Sequence, residues 1–234
     1  MNVELPLPKL ERTSTADRLV DLLRHKILTA ELPPGSALLE IPLAKSLGVS
    51  RNTLREAIQM LASEGLVRRS MHFGATVTDL TDDDVTEIFR VRRLLELQAV
   101  RMVKRLGQPH AAALNASIAE LEAAIEKQEW HEIVGCDMEF HRRLVGLLMV
   151  PRLEHFYGIV LSELRVGLAL LDRTDNKTVR QITAQHRTIV NLLIAGKQDK
   201  SAKMLEDHLA EAEFKLKAAI RNRDTTTRKG ARRA

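Results

Sequence analysis

Gly48 separates two short runs of different character, and its neighbourhood constrains the fold more than any other stretch of the chain. Ala44-Lys45-Ser46-Leu47 ahead of it has helical spacing, and Ser50-Arg51-Asn52-Thr53-Leu54-Arg55 behind it opens a second helix. Glycine takes the left-handed position after a helix at little steric cost, and serine is a favoured N-cap. The stretch therefore reads as helix, tight turn, helix. In the second helix Leu54, Ile58 and Leu61 form an apolar stripe, with Ala57 and Ala62 supporting it. Arg51, Asn52, Thr53 and Arg55 crowd the first turn on other faces, so the helix can bury one side and present its N-terminus to a major groove. Arginine suits guanine edges, and Ser, Thr and Asn reach phosphates or bases.

The flanking segments extend this unit. Leu19, Leu22, Leu23 and Ile27 give a helix over 15–28, capped by Ser14 or Thr15 and broken by Pro33-Pro34-Gly35. The helix before Gly48 starts near Ile41 or Pro42, since proline is tolerated in a first turn. Gly65 ends the third helix. After it, Leu66-Val67-Arg68-Arg69 and Ala75-Thr76-Val77-Thr78 are β-prone runs joined through Gly74, which reads as a hairpin, or wing, with Arg68 and Arg69 placed for phosphate contact. Three helices and a wing predict a winged helix-turn-helix domain over 14–79, after an N-terminal extension, 1–13.

Downstream, Thr81 and Asp84 form a capping-box pattern that opens a second unit, 80–220. Six amphipathic segments follow, about 82–106, 109–127, 129–148, 151–171, 177–195 and 197–220, punctuated by Pro109, Pro151 and Gly196. Aromatic residues are only 3% of the chain, and unbranched side chains lose little rotamer freedom in helices. The fold class is therefore mainly α: an N-terminal winged helix-turn-helix and a C-terminal all-α bundle of about six helices. The formal net charge is +5, and the excess lies wholly in 221–234, with six Lys or Arg against one acidic residue. That segment has no apolar periodicity and is expected to be a basic arm without regular structure.

A single cysteine, Cys136, excludes an internal disulfide framework and fits a reducing compartment. No stretch has signal-peptide or membrane-span character, so the expected location is the cytoplasm, with no membrane partner. Within the bundle, Asp137 and His141 are four residues apart and share a helical face, which makes half of a metal site. His186 and His208 lie on segments that can neighbour it. Three nitrogens and one oxygen suit a divalent ion, zinc first, with nickel, manganese or iron as alternatives. The same set would serve a metal-dependent hydrolase or lyase, for which Glu96 and Glu139 are the acid–base candidates, or a metal that only braces the bundle.

Both halves carry a family pattern. Pro34-Gly35-Ser36-x-Leu38-x-Glu40 followed by Leu43-Ala44-x-x-Leu47-Gly48-Val49-Ser50-Arg51-x-x-Leu54-Arg55-Glu56-Ala57 and Glu64-Gly65-Leu66-Val67 resembles the DNA-binding domain of GntR-type bacterial transcription regulators. The resemblance implies a recognition role for Ser50, Arg51, Asn52, Thr53 and Arg55 and a wing-tip role for Gly74. Where the family usually has Arg-Glu after Glu40, this chain has Ile41-Pro42, which removes a DNA contact and nominates Lys45, Arg68 or Arg69 as substitutes. Arg92-x-x-x-Glu96, Asp137-x-x-Phe140-His141-x-x-Leu144, His186-x-x-Ile189 and His208-Leu209 resemble the FCD ligand-binding domain of the FadR subfamily. That resemblance covers about 14–215. It implies a metal held by Asp137, His141, His186 and His208, a small carboxylate effector completing its coordination, and Arg92 pairing with that carboxylate. Six helices place the chain nearer the vanillate-regulator branch. The implied whole is a homodimeric regulator of transcription, a repressor by expectation, on a near-palindromic double-stranded DNA operator.

Overall fold

The computed structural model describes residues 14–70, 74–169, 171 and 176–231; the expected extension 1–13, the wing residues Met71, His72 and Phe73, and residues 232–234 lie outside them. Helix α1 (Thr15–Leu28) begins where local chemistry dictates: Ser14 Oγ accepts from the Asp17 amide at 3.0 Å, and the Asp17 carboxylate accepts from the Ser14 amide at 2.8 Å. Strand β1 (Ala37–Leu38) leads into α2 (Glu40–Leu47), which ends at Gly48 with φ +64°. Helix α3 (Arg51–Ser63) is capped by Ser50, whose Oγ accepts from the Thr53 amide at 3.1 Å, and it buries Leu54, Ala57, Ile58 and Leu61.

Strands β2 (Val67–Ser70) and β3 (Gly74–Val77) form the expected antiparallel hairpin, with Val67 opposite Val77 and Ser70 opposite Gly74. The sheet has a third member. β1 pairs with the outer edge of β3, Ala37 opposite Thr76, giving the order β1-β3-β2. A two-residue strand has no periodicity of its own; it exists because β3 offers it unpaired backbone groups, which a reading of neighbouring residues does not register.

The second unit is a bundle of α4 (Asp82–Met102), α5 (Gln108–Lys127), α6 (Trp130–Gly146), α7 (Pro151–Leu168), α8 (Asn176–Ile194) and α9 (Gln198–Ala231). Its start matches the capping-box pattern, with the Asp84 amide donating to Thr81 Oγ1 at 3.1 Å and the Thr81 amide donating to Asp84 Oδ2 at 2.8 Å. Its core is a continuous cluster that includes Phe89, Phe140, Leu144, Leu164, Ile189, Leu205 and Leu216. No helix among the described residues is long and apolar enough to cross a membrane.

One expectation is corrected at the C-terminus. The backbone of 221–231 continues α9 as helix instead of forming an irregular basic arm. Contacts remote in sequence hold the first turn of this extension: Arg221 Nη2 meets Asp82 Oδ2 at 2.5 Å at the start of α4, and Arg223 pairs with Asp79 of the linker. The same region joins the two units. Leu80 is 1% exposed in the bundle core, where it packs so closely on α7 that a Cβ at Gly167 would lie 2.7 Å from it. Val166 of α7 in turn enters the core of the N-terminal domain, and Arg68 of β2 reaches Asp84 of α4 at 3.1 Å.

Truncating a buried leucine leaves a cavity as well as removing apolar burial, at a cost of about 2–5 kcal/mol. Leu80→Ala is therefore expected to lower the unfolding free energy of the bundle by that amount, seen as a fall in the urea midpoint followed by circular dichroism. An unchanged midpoint would contradict the placement of Leu80 as the plug between linker and bundle.

Candidate functional site

The N-terminal face of α3 carries the expected polar residues. Arg51, Asn52 and Arg55 are exposed, as is Lys45 in the last turn of α2. Glu40 organises them: its Oε2 accepts from Arg55 Nε at 2.7 Å and lies 3.7 Å from Arg51 Nη2. Ser50 and Thr53 are engaged in the cap, their hydroxyls 2.8 Å apart. Gly74, at φ +77°, is exposed, and nothing lies within 4 Å of where a Cβ would be, as a wing approaching a backbone requires. Both wing arginines are exposed, and Arg68 also pairs with Asp84 at 3.1 Å. Ile41, in place of the family's arginine, is 64% exposed.

Inside the bundle the four predicted metal ligands come together from three helices. Asp137 and His141 lie on α6, His186 on α8 and His208 on α9. His208 Nε2 is 3.3 Å from His141 Nε2 and 3.4 Å from His186 Nε2, and Asp137 Oδ1 is 3.4 Å from His186 Nε2. An imidazole nitrogen sits about 2.0–2.1 Å from a zinc ion, and four-coordinate geometry then sets neighbouring ligand atoms about 3.3–3.4 Å apart. The two edges at His208 Nε2 and the contact of Asp137 Oδ1 with His186 have that length; the three histidines form a group whose ligand atoms all lie within 4.8 Å of one another, and Asp137 stands at its edge, beside His186. Asp137 Oδ1 is buried without a hydrogen-bond partner, as an atom facing a cation would be.

The supporting residues define which imidazole atoms face inward. His141 Nδ1 lies 2.6 Å from Glu96 Oε2, and His208 Nδ1 lies 2.8 Å from Gln185 Oε1. A carboxylate and an amide oxygen accept hydrogen bonds, so each Nδ1 carries the proton and each Nε2 presents a lone pair to the centre. Burial, followed by the neighbouring histidines, holds His186 and His208 well below the usual histidine range, in the neutral form that binds a metal. Phe140 stacks on His186 with ring centroids 3.9 Å apart and fixes its plane. Three clustered imidazoles with Asp137 beside His186, and with Glu96 and Gln185 accepting from the outer Nδ1 atoms of His141 and His208, are a donor set that fits a divalent ion.

Glu96 is the residue whose role a local reading misses. It is fully buried and accepts from Arg92 Nε at 2.8 Å and from Tyr157 Oη at 2.5 Å, besides its contact with His141. Burial pushes its carboxyl up, but Arg92 and then His141 outweigh this and hold it at about 2. A carboxylate so occupied is no free base. Glu139, the other acid–base candidate, pairs with Arg142 and Arg143 and lines a separate cleft shared with Glu64. The i,i+4 spacing of Arg92 and Glu96 is the signal for their pair; nothing local predicts Tyr157 or Gln185.

Beside the four ligands is a cavity of about 400 Å³, lined on its polar side by Arg92, Asp137, Gln185 and His208. Arg92 is 1% exposed, and its Nη2 has no hydrogen-bond partner. A buried guanidinium with an unmet donor beside a cavity has the chemistry to donate to an oxyanion.

Comparison with known proteins gives the same division of the chain. Residues 15–77 match the model described as bacterial regulatory proteins, gntR family, and residues 87–211 match that of the FCD domain. An HTH-type transcriptional regulator of Bacillus subtilis (strain 168), YdhC, is 32% identical over 169 residues, covering 71% of this chain and 75% of that protein. The gluconate operon transcriptional repressor of Bacillus licheniformis is 26% identical over 230 residues, covering 92% and 90%. A crystal structure from Rhodococcus sp. RHA1, described as a GntR transcriptional regulator, superposes with a TM-score of 0.75 at 26% identity, over 87% of this chain and 98% of that one.

Removing one partner of a buried ion pair strands the other, at about 3–5 kcal/mol. Glu96→Ala should destabilise the bundle by that amount in urea unfolding, and Glu96→Gln by less, because the amide oxygen still accepts. Equal stability of Glu96→Ala and wild type would contradict the assignment of Glu96 as the common acceptor.

Proposed function

The chain belongs to the gntR family of bacterial regulatory proteins and carries an FCD domain, which makes it a DNA-binding transcriptional regulator, and we propose that its operator affinity is set by a carboxylate bound at a divalent metal in the bundle. The observation that carries this reading is the convergence of three imidazole Nε2 atoms and Asp137 Oδ1 beside the unpartnered Nη2 of Arg92. Zinc suits the four-coordinate spacing best. When bound, such an ion supplies a Lewis-acidic position that an anionic oxygen can occupy.

Charge balance favours a monoanion. With a divalent ion bound, its histidine ligands are neutral and Asp137, whose carboxyl burial otherwise pushes up, is ionised, so that apart from the ion Arg92, Glu96 and Asp137 carry one net negative charge. A divalent ion turns this into one positive charge, and one carboxylate cancels it. Burying an unbalanced charge is costly, so the ion and the anion favour each other's binding. Arg92 orients the anion through Nη2 while Glu96 holds its Nε, a division that keeps the guanidinium plane fixed.

The route to the reading head runs along α9. The helix carries His208 at the metal site and, within four turns, Arg221 and Arg223 on the linker carboxylates Asp82 and Asp79. A ligand that shifts α9 by a fraction of an ångström shifts the joint, and with it the two reading heads of a homodimer. Leu94 and Met102, exposed at 71% and 62% on α4, offer an apolar surface for that pairing. Repression is the sign favoured by relatives named as repressors. Allosteric couplings are typically about 1–3 kcal/mol, or roughly 5- to 150-fold in affinity.

The two halves are separable by mutation. Arg51→Ala or Arg55→Ala is expected to weaken binding to an operator selected from random-sequence DNA by about 1–3 kcal/mol in fluorescence anisotropy, with metal content unchanged. His186→Ala is expected to abolish stoichiometric metal, read by atomic emission, while basal operator binding persists. Full metal occupancy in His186→Ala would refute the metal assignment.

Chelation offers an independent check. Metal binding to a preformed site adds to folding stability by mass action, so stripping the protein with a chelator should lower its melting temperature and adding zinc should restore it. An identical melting temperature before and after verified zinc loading would contradict the proposal.

A further inference from the structure

We propose that the ligand of the cavity is a monocarboxylic acid with an apolar body, aromatic or branched, and not a hydroxy acid or sugar acid. This rests on the reading above that Arg92 and the metal ligands receive a carboxylate. It adds what the rest of the cavity says about the remainder of the molecule.

Polar groups are segregated in the cavity. Arg92, Asp137, Gln185 and His208 occupy one side, and the walls supplied by α5 to α8 are Leu121, Ile133, Leu168, Val179 and Ile182 with their neighbours. Trp130 contributes an indole whose N–H already donates to the Leu168 carbonyl at 3.3 Å, so it offers the ligand ring carbon and not a donor. On α9, Glu211 and Lys215 pair with each other at 2.7 Å, and Glu211 also accepts from Gln185 Nε2 at 3.3 Å. Among the described residues Asn222 is the one further polar residue in the lining, and no described serine, threonine or tyrosine lines the space.

A polyhydroxylated acid would bring several hydroxyls against these walls with almost no partners, and a buried hydroxyl without a partner is unfavourable. An apolar body instead removes its own surface and that of the walls from water. The cavity is also larger than a two- or three-carbon acid requires: about 400 Å³ falls within the range that encloses drug-sized ligands. Phe214, 75% exposed yet part of the lining, stands where an apolar ligand would meet solvent.

The test is calorimetric titration of the full-length, zinc-loaded protein with four probes: 3-phenylpropanoate, lactate, gluconate and 3-phenylpropanol. The proposal predicts that 3-phenylpropanoate binds at least tenfold more tightly than lactate or gluconate, with a negative heat-capacity change. It also predicts that the alcohol, which lacks the carboxylate, binds at least tenfold more weakly than the acid. Lactate or gluconate binding as tightly as 3-phenylpropanoate would overturn the apolar-body proposal and leave the carboxylate reading intact. The alcohol binding as tightly as the acid would overturn the carboxylate reading and leave the apolar preference standing. Failure of all four to bind would overturn both.

Discussion

A single buried carboxylate ties the bundle to its site. Glu96 on α4 accepts from Arg92 one turn earlier, from His141 on α6 and from Tyr157 on α7, and it has no contact with solvent. Three donors compensate the loss of hydration that would otherwise keep a carboxylate at the surface. The arrangement has two consequences. It turns His141 with Nε2 inward, and it holds Arg92 through Nε while Nη2, buried without a partner, stays open to what the cavity admits. Packing, protonation and ligand chemistry thus meet at one side chain.

The joint between domains is the second structural theme. Leu80 enters the bundle core, Val166 enters the core of the N-terminal domain, and Arg68, Arg221 and Arg223 meet the acidic linker. Such a joint is neither a free tether nor a seamless core. Its ion pairs are partly exposed and individually weak, so their geometry can change at small cost while Leu80 and Val166 keep the domains engaged. In the proposed function that compliance lets a ligand near His208 reach the reading heads.

Much of this was legible in the chain because it depends on near neighbours. The Ser14–Asp17 and Thr81–Asp84 capping boxes, the left-handed Gly48 and the Ser50 cap involve residues three or four apart, and each places a helix end. The six bundle helices follow from apolar spacing between Pro and Gly breaks. What eluded the sequence depends on remote partners: β1 exists through β3, Arg221 and Arg223 beyond the apolar periodicity of α9 meet Asp82 and Asp79, and Arg68 pairs with Asp84. At the site, the four ligand positions and Arg92 were named from a family resemblance. Gln185 and Tyr157 act through contacts across helices that no spacing rule reports.

The central claim is the coordination of a divalent ion by Asp137, His141, His186 and His208, and X-ray absorption at the zinc edge of the metal-loaded protein tests it most directly. The expected spectrum has three imidazole nitrogens and one or two oxygens at about 2.0–2.1 Å, with no sulfur. A shell of oxygens alone, or a sulfur scatterer from Cys136, would contradict it.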